Sequence, residues 1–77
     1  MKSFAFSWFD HVEGGISIEI ESGVSWKDAI KKTSLCCIDV NVGEMILGIV
    51  DNEDSVIYDL LDALFDCEIS LALKEIV

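Results

Sequence analysis

Residues 51–68 read DNEDSVIYDLLDALFDCE. Val56, Ile57, Leu60, Leu61, Leu64 and Phe65 recur at the one-, three- and four-residue spacings of a buried helical stripe. Asp59, Asp62 and Asp66 fall at i, i+3 and i+7, which lines them up on the opposite side. The pattern predicts a single amphipathic helix across the whole stretch. Asp51 or Asn52 is the expected cap. Asp51, Glu53 and Asp54 are well placed against the partial positive charge of a helix N-terminus.

Asp62 and Asp66 run against local preference. Aspartate is a poor helix-interior residue. In the last turn the macrodipole repels an anion by roughly 0.3–1 kcal/mol. Like charges at helical spacing also repel one another. No Lys or Arg occurs between Lys32 and Lys74 to relieve them. Three breaches of local preference on one face mark a candidate functional surface. The competing reading is a plain solvated face, the usual meaning of a charge run.

On the N-terminal side of this stretch, Met45 to Val50 (MILGIV) is almost wholly apolar and reads as a central strand covered on both faces. Gly48 within it suggests a bulge or close packing under a helix. Gly43-Glu44 fits a type II′ turn. It would join that strand to another over Leu35 to Val42, with Cys36, Ile38, Val40 and Val42 on one side. On the C-terminal side, Glu68 to Val77 alternates Ile69, Leu71 and Leu73 with Ser70, Ala72 and Lys74, a strand pattern.

Further out, Ser25-Trp26-Lys27-Asp28 resembles a capping box with Asp in place of Glu. Trp26, Ala29, Ile30 and Thr33 make the buried stripe of a short helix. Lys27, Lys31 and Lys32 lie on its exposed side, where a solvated face is favoured over a small anion site. Ser3 to Phe9 (SFAFSWF) alternates Phe4, Phe6 and Trp8 with Ala5, Ser7 and Phe9. After the loop Asp10 to Gly15, residues Ile16 to Glu21 alternate again and form a hairpin with the first strand. Ile16, Ile18 and Ile20 are expected in the core, and Ser17, Glu19 and Glu21 in water.

The expected fold is therefore α+β, a single domain over residues 1–77. An antiparallel-rich sheet of about five strands carries two helices packed on one face, in the order strand-strand-helix-strand-strand-helix-strand.

Composition narrows function. Seventy-seven residues carry 15 acids against five lysines and no arginine, a net charge of −10. That balance argues against direct nucleic-acid binding and against an anionic membrane surface. It favours a basic protein partner. No apolar run approaches a membrane span, and Met1-Lys2 is followed by no signal-peptide pattern. Three Cys without a CxxC predict reduced thiols in the cytoplasm rather than a disulfide or a zinc site. His11, the sole imidazole, is expected to be a surface residue. No phosphate-cradling loop, nucleophile elbow, metal-ligand spacing or cofactor motif occurs. The inventory points away from an enzyme.

Residues 61–67, LDALFDC, resemble the inhibitory helix of barstar, the intracellular inhibitor of a secreted bacterial ribonuclease. That family carries a Leu-Asp-Ala-Leu-Trp-Asp-Cys phrase followed by a strand. The resemblance implies that Asp62 and Asp66 enter a basic, phosphate-binding cleft, with Phe65 standing where the family has Trp. It is local: barstar has a parallel sheet and more helices. Phe6-Ser7-Trp8-Phe9-Asp10 is similar to a first-strand phrase of immunity proteins against ribosome-cleaving colicins, which are also acidic and cytoplasmic.

These readings converge on a small acidic inhibitor or immunity-type protein. It would block a basic nucleic-acid-handling enzyme, such as a toxin nuclease, by presenting carboxylates as phosphate mimics. The partner-binding residues are expected to be Asp54, Asp59, Asp62, Phe65, Asp66 and Glu68. A phage-encoded block on a host defence enzyme uses the same physics. A structural or assembly protein, acidic only for solubility, is the alternative from another class. The chain itself is expected to be a monomer or weak homodimer.

Overall fold

The aromatic strand is the centre of the molecule. In the computed structural model, which describes residues 1–76, β1 (Lys2–Asp10) lies between β2 (Ile16–Gly23) and β3 (Ile69–Ile76), antiparallel to both. Between β2 and β3 the chain forms α1 (Trp26–Ile30), a 3-10 helix (Ser34–Cys37), α2 (Val40–Val50) and α3 (Ile57–Asp66). The hairpin turn is closed by Asp10, whose carboxylate accepts the N–H groups of Val12 and Glu13 at 2.9 and 3.1 Å. Gly14 supplies the φ of 78° that this turn needs.

The α+β class and the antiparallel sheet match the sequence reading, but the sheet has three strands, not about five, and there are three α-helices, not two. Residues 34–37 and 40–50 are helical, where two strands were expected. Asp39 starts α2 by accepting the N–H of Asn41 at 2.7 Å. Val42, Ile46 and Val50 then form a buried stripe at i, i+4 and i+8. Gly43 is not a turn residue. It lies in α2 against the main-chain carbonyl of Cys36, where a Cβ would overlap. Gly48 is neither bulged nor closely packed, because nothing approaches the position of its absent Cβ. Cys36 and Cys37 sit in the 3-10 helix rather than on opposite faces of a strand.

The long acidic helix is also shorter than the pattern suggested. Asp51 is the C-cap of α2, and residues 51–55 form the connection to α3. Ser55 Oγ donates to the Ile49 and Asn52 carbonyls at 2.6 and 2.9 Å and holds that connection closed. Val56, expected in the buried stripe, is instead the exposed N-cap of α3.

One core unites these elements. Phe4, Phe6 and Trp8 pack with Ala29, Ile30, Leu35, Ile46, Leu60, Leu64 and Ile69. α1 keeps its expected stripe: Ala29, Ile30 and Thr33 are buried, and Trp26 is half-buried against the core. The hairpin register puts Ile16, Ile18 and Ile20 opposite Phe9, Ser7 and Ala5, on the side away from the helices. Those isoleucines are 72%, 71% and 62% exposed, the reverse of the expectation. Cross-strand partners share a face, so the aromatic triad of β1 takes the helix-covered side and parity sends the isoleucines to the other. Glu19 falls on the helix side, where its carboxylate accepts the backbone N–H of Ser34 at 3.1 Å.

Candidate functional site

Leu60 and Leu64 are fully buried, and that rotation of α3 determines what its outer face presents. Tyr58, Asp59, Asp62, Phe65 and Asp66 lie within about a third of the helix circumference. Phe65 was expected both in the buried stripe and at the binding surface. The structure places it outside, 70% exposed, and Tyr58 is equally exposed. Asp62 and Asp66 are exposed beside them. Among the described residues the ion pairs are Lys2–Glu75 at 3.5 Å and Lys31–Asp51 at 3.6 Å. Neither reaches α3.

Asp59 differs from its neighbours. Its carboxylate accepts the backbone N–H of Val56 at 2.8 Å, and its own N–H donates to the Val56 carbonyl at 3.0 Å. This carboxylate caps α3, whose N-cap valine has no side-chain acceptor of its own. Asp54 is exposed in the preceding connection. Its N–H is bound by Asn52 Oδ1 at 3.0 Å, which leaves its carboxylate in solvent at the N-terminal end of the helix.

The helix ends in a strained residue. Glu68 has φ 63°, in the left-handed region that favours glycine. It occupies the position just past the C-cap, where glycine is the common solution. The N–H groups of Cys67 and Glu68 donate to the Leu64 and Phe65 carbonyls, each at 2.9 Å, and close the helix. Retaining glutamate there keeps a carboxylate next to Phe65 and Asp66.

Tertiary structure adds His11 to this end. Its backbone N–H donates to the Glu68 carbonyl at 2.9 Å, and Nε2 lies 2.7 Å from Ser70 Oγ. The imidazole meets Phe9 edge-on with ring centroids 4.6 Å apart. His11, Phe65, Asp66 and Glu68 together line a hollow of about 530 Å³. The hollow joins an aromatic ring, two carboxylates and an imidazole in a form suited to a cationic side chain. Sequence reading missed two residues of this surface. Tyr58 was legible, four residues before Asp62 and seven before Phe65. His11 carried no signal, being more than fifty residues away in the chain.

The lysines of α1 are engaged elsewhere. Lys27 Nζ donates to the Asn52 and Glu53 carbonyls at 2.7 and 3.3 Å, and Lys32 Nζ to the Ser22 carbonyl at 2.6 Å. They tie the α1 region to the α2–α3 connection and to the end of β2, and do not converge on an anion site. The three cysteines are free thiols: Cys36 half-buried, Cys37 and Cys67 exposed. Burial, with Cys37 alongside, pushes the Cys36 thiol pKa up against the opposing Thr33 hydrogen bond. Its Sγ donates to the Ile30 carbonyl at 3.3 Å. Among the described residues no three His, Cys, Asp or Glu side chains gather as a metal site, and no helix is long and apolar enough to cross a membrane. No protein-family model, curated protein or solved structure matches this chain.

Proposed function

We propose that the chain is a small acidic inhibitor that docks the outer face of α3 into the basic cleft of a nucleic-acid-handling enzyme. The observation that carries this reading is the exposure of Phe65 and Tyr58 beside Asp62 and Asp66, with no lysine paired to either carboxylate. Aromatic side chains are enriched at interfaces and supply many of their hot spots. Carboxylates at helical spacing mimic successive phosphates. The net charge of −10 raises the rate of encounter with a basic partner. The resemblance of residues 61–67 to the barstar helix points to a toxin nuclease as the target class. A host defence enzyme blocked by a phage protein presents the same chemistry to the same face.

Affinity capture from the source cell tests the proposal, with the native chain and an Asp62→Asn/Asp66→Asn chain as parallel baits. The expected result is a basic nucleic-acid-binding protein on the native bait, with the variant weakened by at least about 2 kcal/mol, roughly thirtyfold. Asp59 is left intact because it caps the helix. Asp28→Asn and Glu21→Gln, acids on other elements, serve as controls and should bind within about 0.5 kcal/mol of the native chain. Equal capture by the native and double-variant baits rejects the reading. So does the absence of any basic partner.

A further inference from the structure

We infer that the open face of the sheet is the contact surface of a homodimer, with two copies packed face to face. This surface is on the side of the sheet away from the helices and is independent of α3. Its cross-strand rows are Ile16–Phe9–Ser70, Ile18–Ser7–Ala72, Ile20–Ala5–Lys74 and Ser22–Ser3–Ile76. Three isoleucines, Ile16, Ile18 and Ile20, form a continuous row along the β2 edge and are 62–72% exposed. The opposite edge strand carries Lys74 and Ile76 towards one end of the face but only Ser70 and Ala72 towards the other. Next to these small residues lies a hollow of about 340 Å³, lined on this face by Ser7, Phe9, Ile16, Ser70 and Ala72.

A ridge and a hollow on opposite edges of one face are self-complementary. A two-fold axis in the plane of the interface, parallel to the strands, stacks β2 of one copy over β3 of the other. Each isoleucine then meets its own row: Ile16 over Ser70, Ile18 over Ala72, Ile20 over the aliphatic stem of Lys74, and Ile76 over Ser22. This is an isologous contact, closed after two copies. Paired sheets whose inner faces interdigitate are a standard packing.

Charge selects the second copy over other occupants. In a chain with 15 acids, the strand positions on this face carry none, and Lys74 at the β3 rim is their one charge among the described residues. Apart from that lysine, the face offers no charge to recruit a basic or an acidic partner, and only the general repulsion between two −10 chains opposes an identical apolar face. Three strands of eight residues span on the order of 26 Å by 14 Å. Two such faces, with their side chains, bury on the order of 1,000 Å² in all, the lower bound of a specific interface. The dimer is therefore reversible, with dissociation at roughly micromolar to tens of micromolar concentration. Both copies keep α3 on the outside, so each remains free to bind a partner.

Sedimentation equilibrium of the purified chain across a concentration series tests this. The expected species has twice the 8.5 kDa chain mass. Association should tighten between low and high salt, because screening relieves repulsion between two −10 chains while the apolar contact persists. Ile18→Lys on β2 and Ser7→Lys on β1 should each weaken association at least tenfold with an unchanged circular dichroism spectrum. Ile18→Thr supplies the same test if lysine disturbs folding. Ser7 lies on the central strand, so a dimer that survives Ser7→Lys pairs through a strand edge and overturns the proposal. A chain of 8.5 kDa at every concentration and salt overturns it as well.

Discussion

Gly43 of α2 lies against the main-chain carbonyl of Cys36, closer than any side chain permits. The contact seats α2 on the 3-10 helix and so sets how the second half of the chain covers the sheet. A methyl group at Gly43 would meet backbone, which cannot rotate out of the way. Gly43→Ala is therefore expected to lower stability by about 1–3 kcal/mol. Gly48, on the same helix, faces open space, and Gly48→Ala should raise stability by about 0.5–1 kcal/mol. Urea unfolding of the two variants checks both signs. A shift in the same direction for both would mean that α2 does not pack as described.

The aromatic residues divide into supports of the fold and elements of the proposed binding face. Trp8 is buried under the helices, and Trp8→Ala is expected to lower stability by about 3–5 kcal/mol. Trp26 is only half-buried, with Lys27 Nζ 5.7 Å from its ring centroid, so Trp26→Ala should lose less. Phe65→Ala and Tyr58→Ala should change stability by no more than about 0.5 kcal/mol, since both side chains are exposed. Thermal melts of the four variants give the ranking. A large loss at Phe65 would return it to the core.

Glu68 sets local strain against the candidate surface. Glu68→Gly relieves the left-handed backbone but increases the freedom of the unfolded chain. The net expectation is a gain of about 0.5–1 kcal/mol in stability. The same change removes a carboxylate from the hollow beside Phe65 and His11, and should weaken the proposed complex with a basic partner. A variant that is more stable and binds less well is the outcome that links strain to function. If stability falls, the glutamate side chain supports the fold instead.

The thiols should react at different rates. Cys37 and Cys67 are exposed, whereas Cys36 is half-buried and its thiol is held above the usual pKa. Thiolate is the reactive form, so alkylation at mildly alkaline pH should label two sites quickly and Cys36 slowly. Mass spectrometry with peptide mapping reads the order. Cys36 reacting first would contradict its burial and its hydrogen bond to the Ile30 carbonyl.

Local periodicity in the sequence was enough to determine the β1–β2 hairpin, the C-terminal strand, the stripe of α1 and the alignment of Asp59, Asp62 and Asp66. Each is decided by residues within one or two turns or along one strand. Tertiary structure decided three further things. Residues 45–50 are wholly apolar, so their composition suits a buried strand and a helix alike. Asp39 capping and the Gly43–Cys36 contact decide for the helix. Alternation along a strand is unchanged when its two faces are exchanged. Which face of β2 is covered therefore depended on where Phe4, Phe6 and Trp8 met the helices, and the isoleucines were left outside. The same holds for α3, whose rotation is set by the burial of Leu60 and Leu64. That rotation turned Phe65 outward and let the docked β1–β2 loop bring His11 to its side, a juxtaposition of residues too far apart in the chain for any local pattern to register.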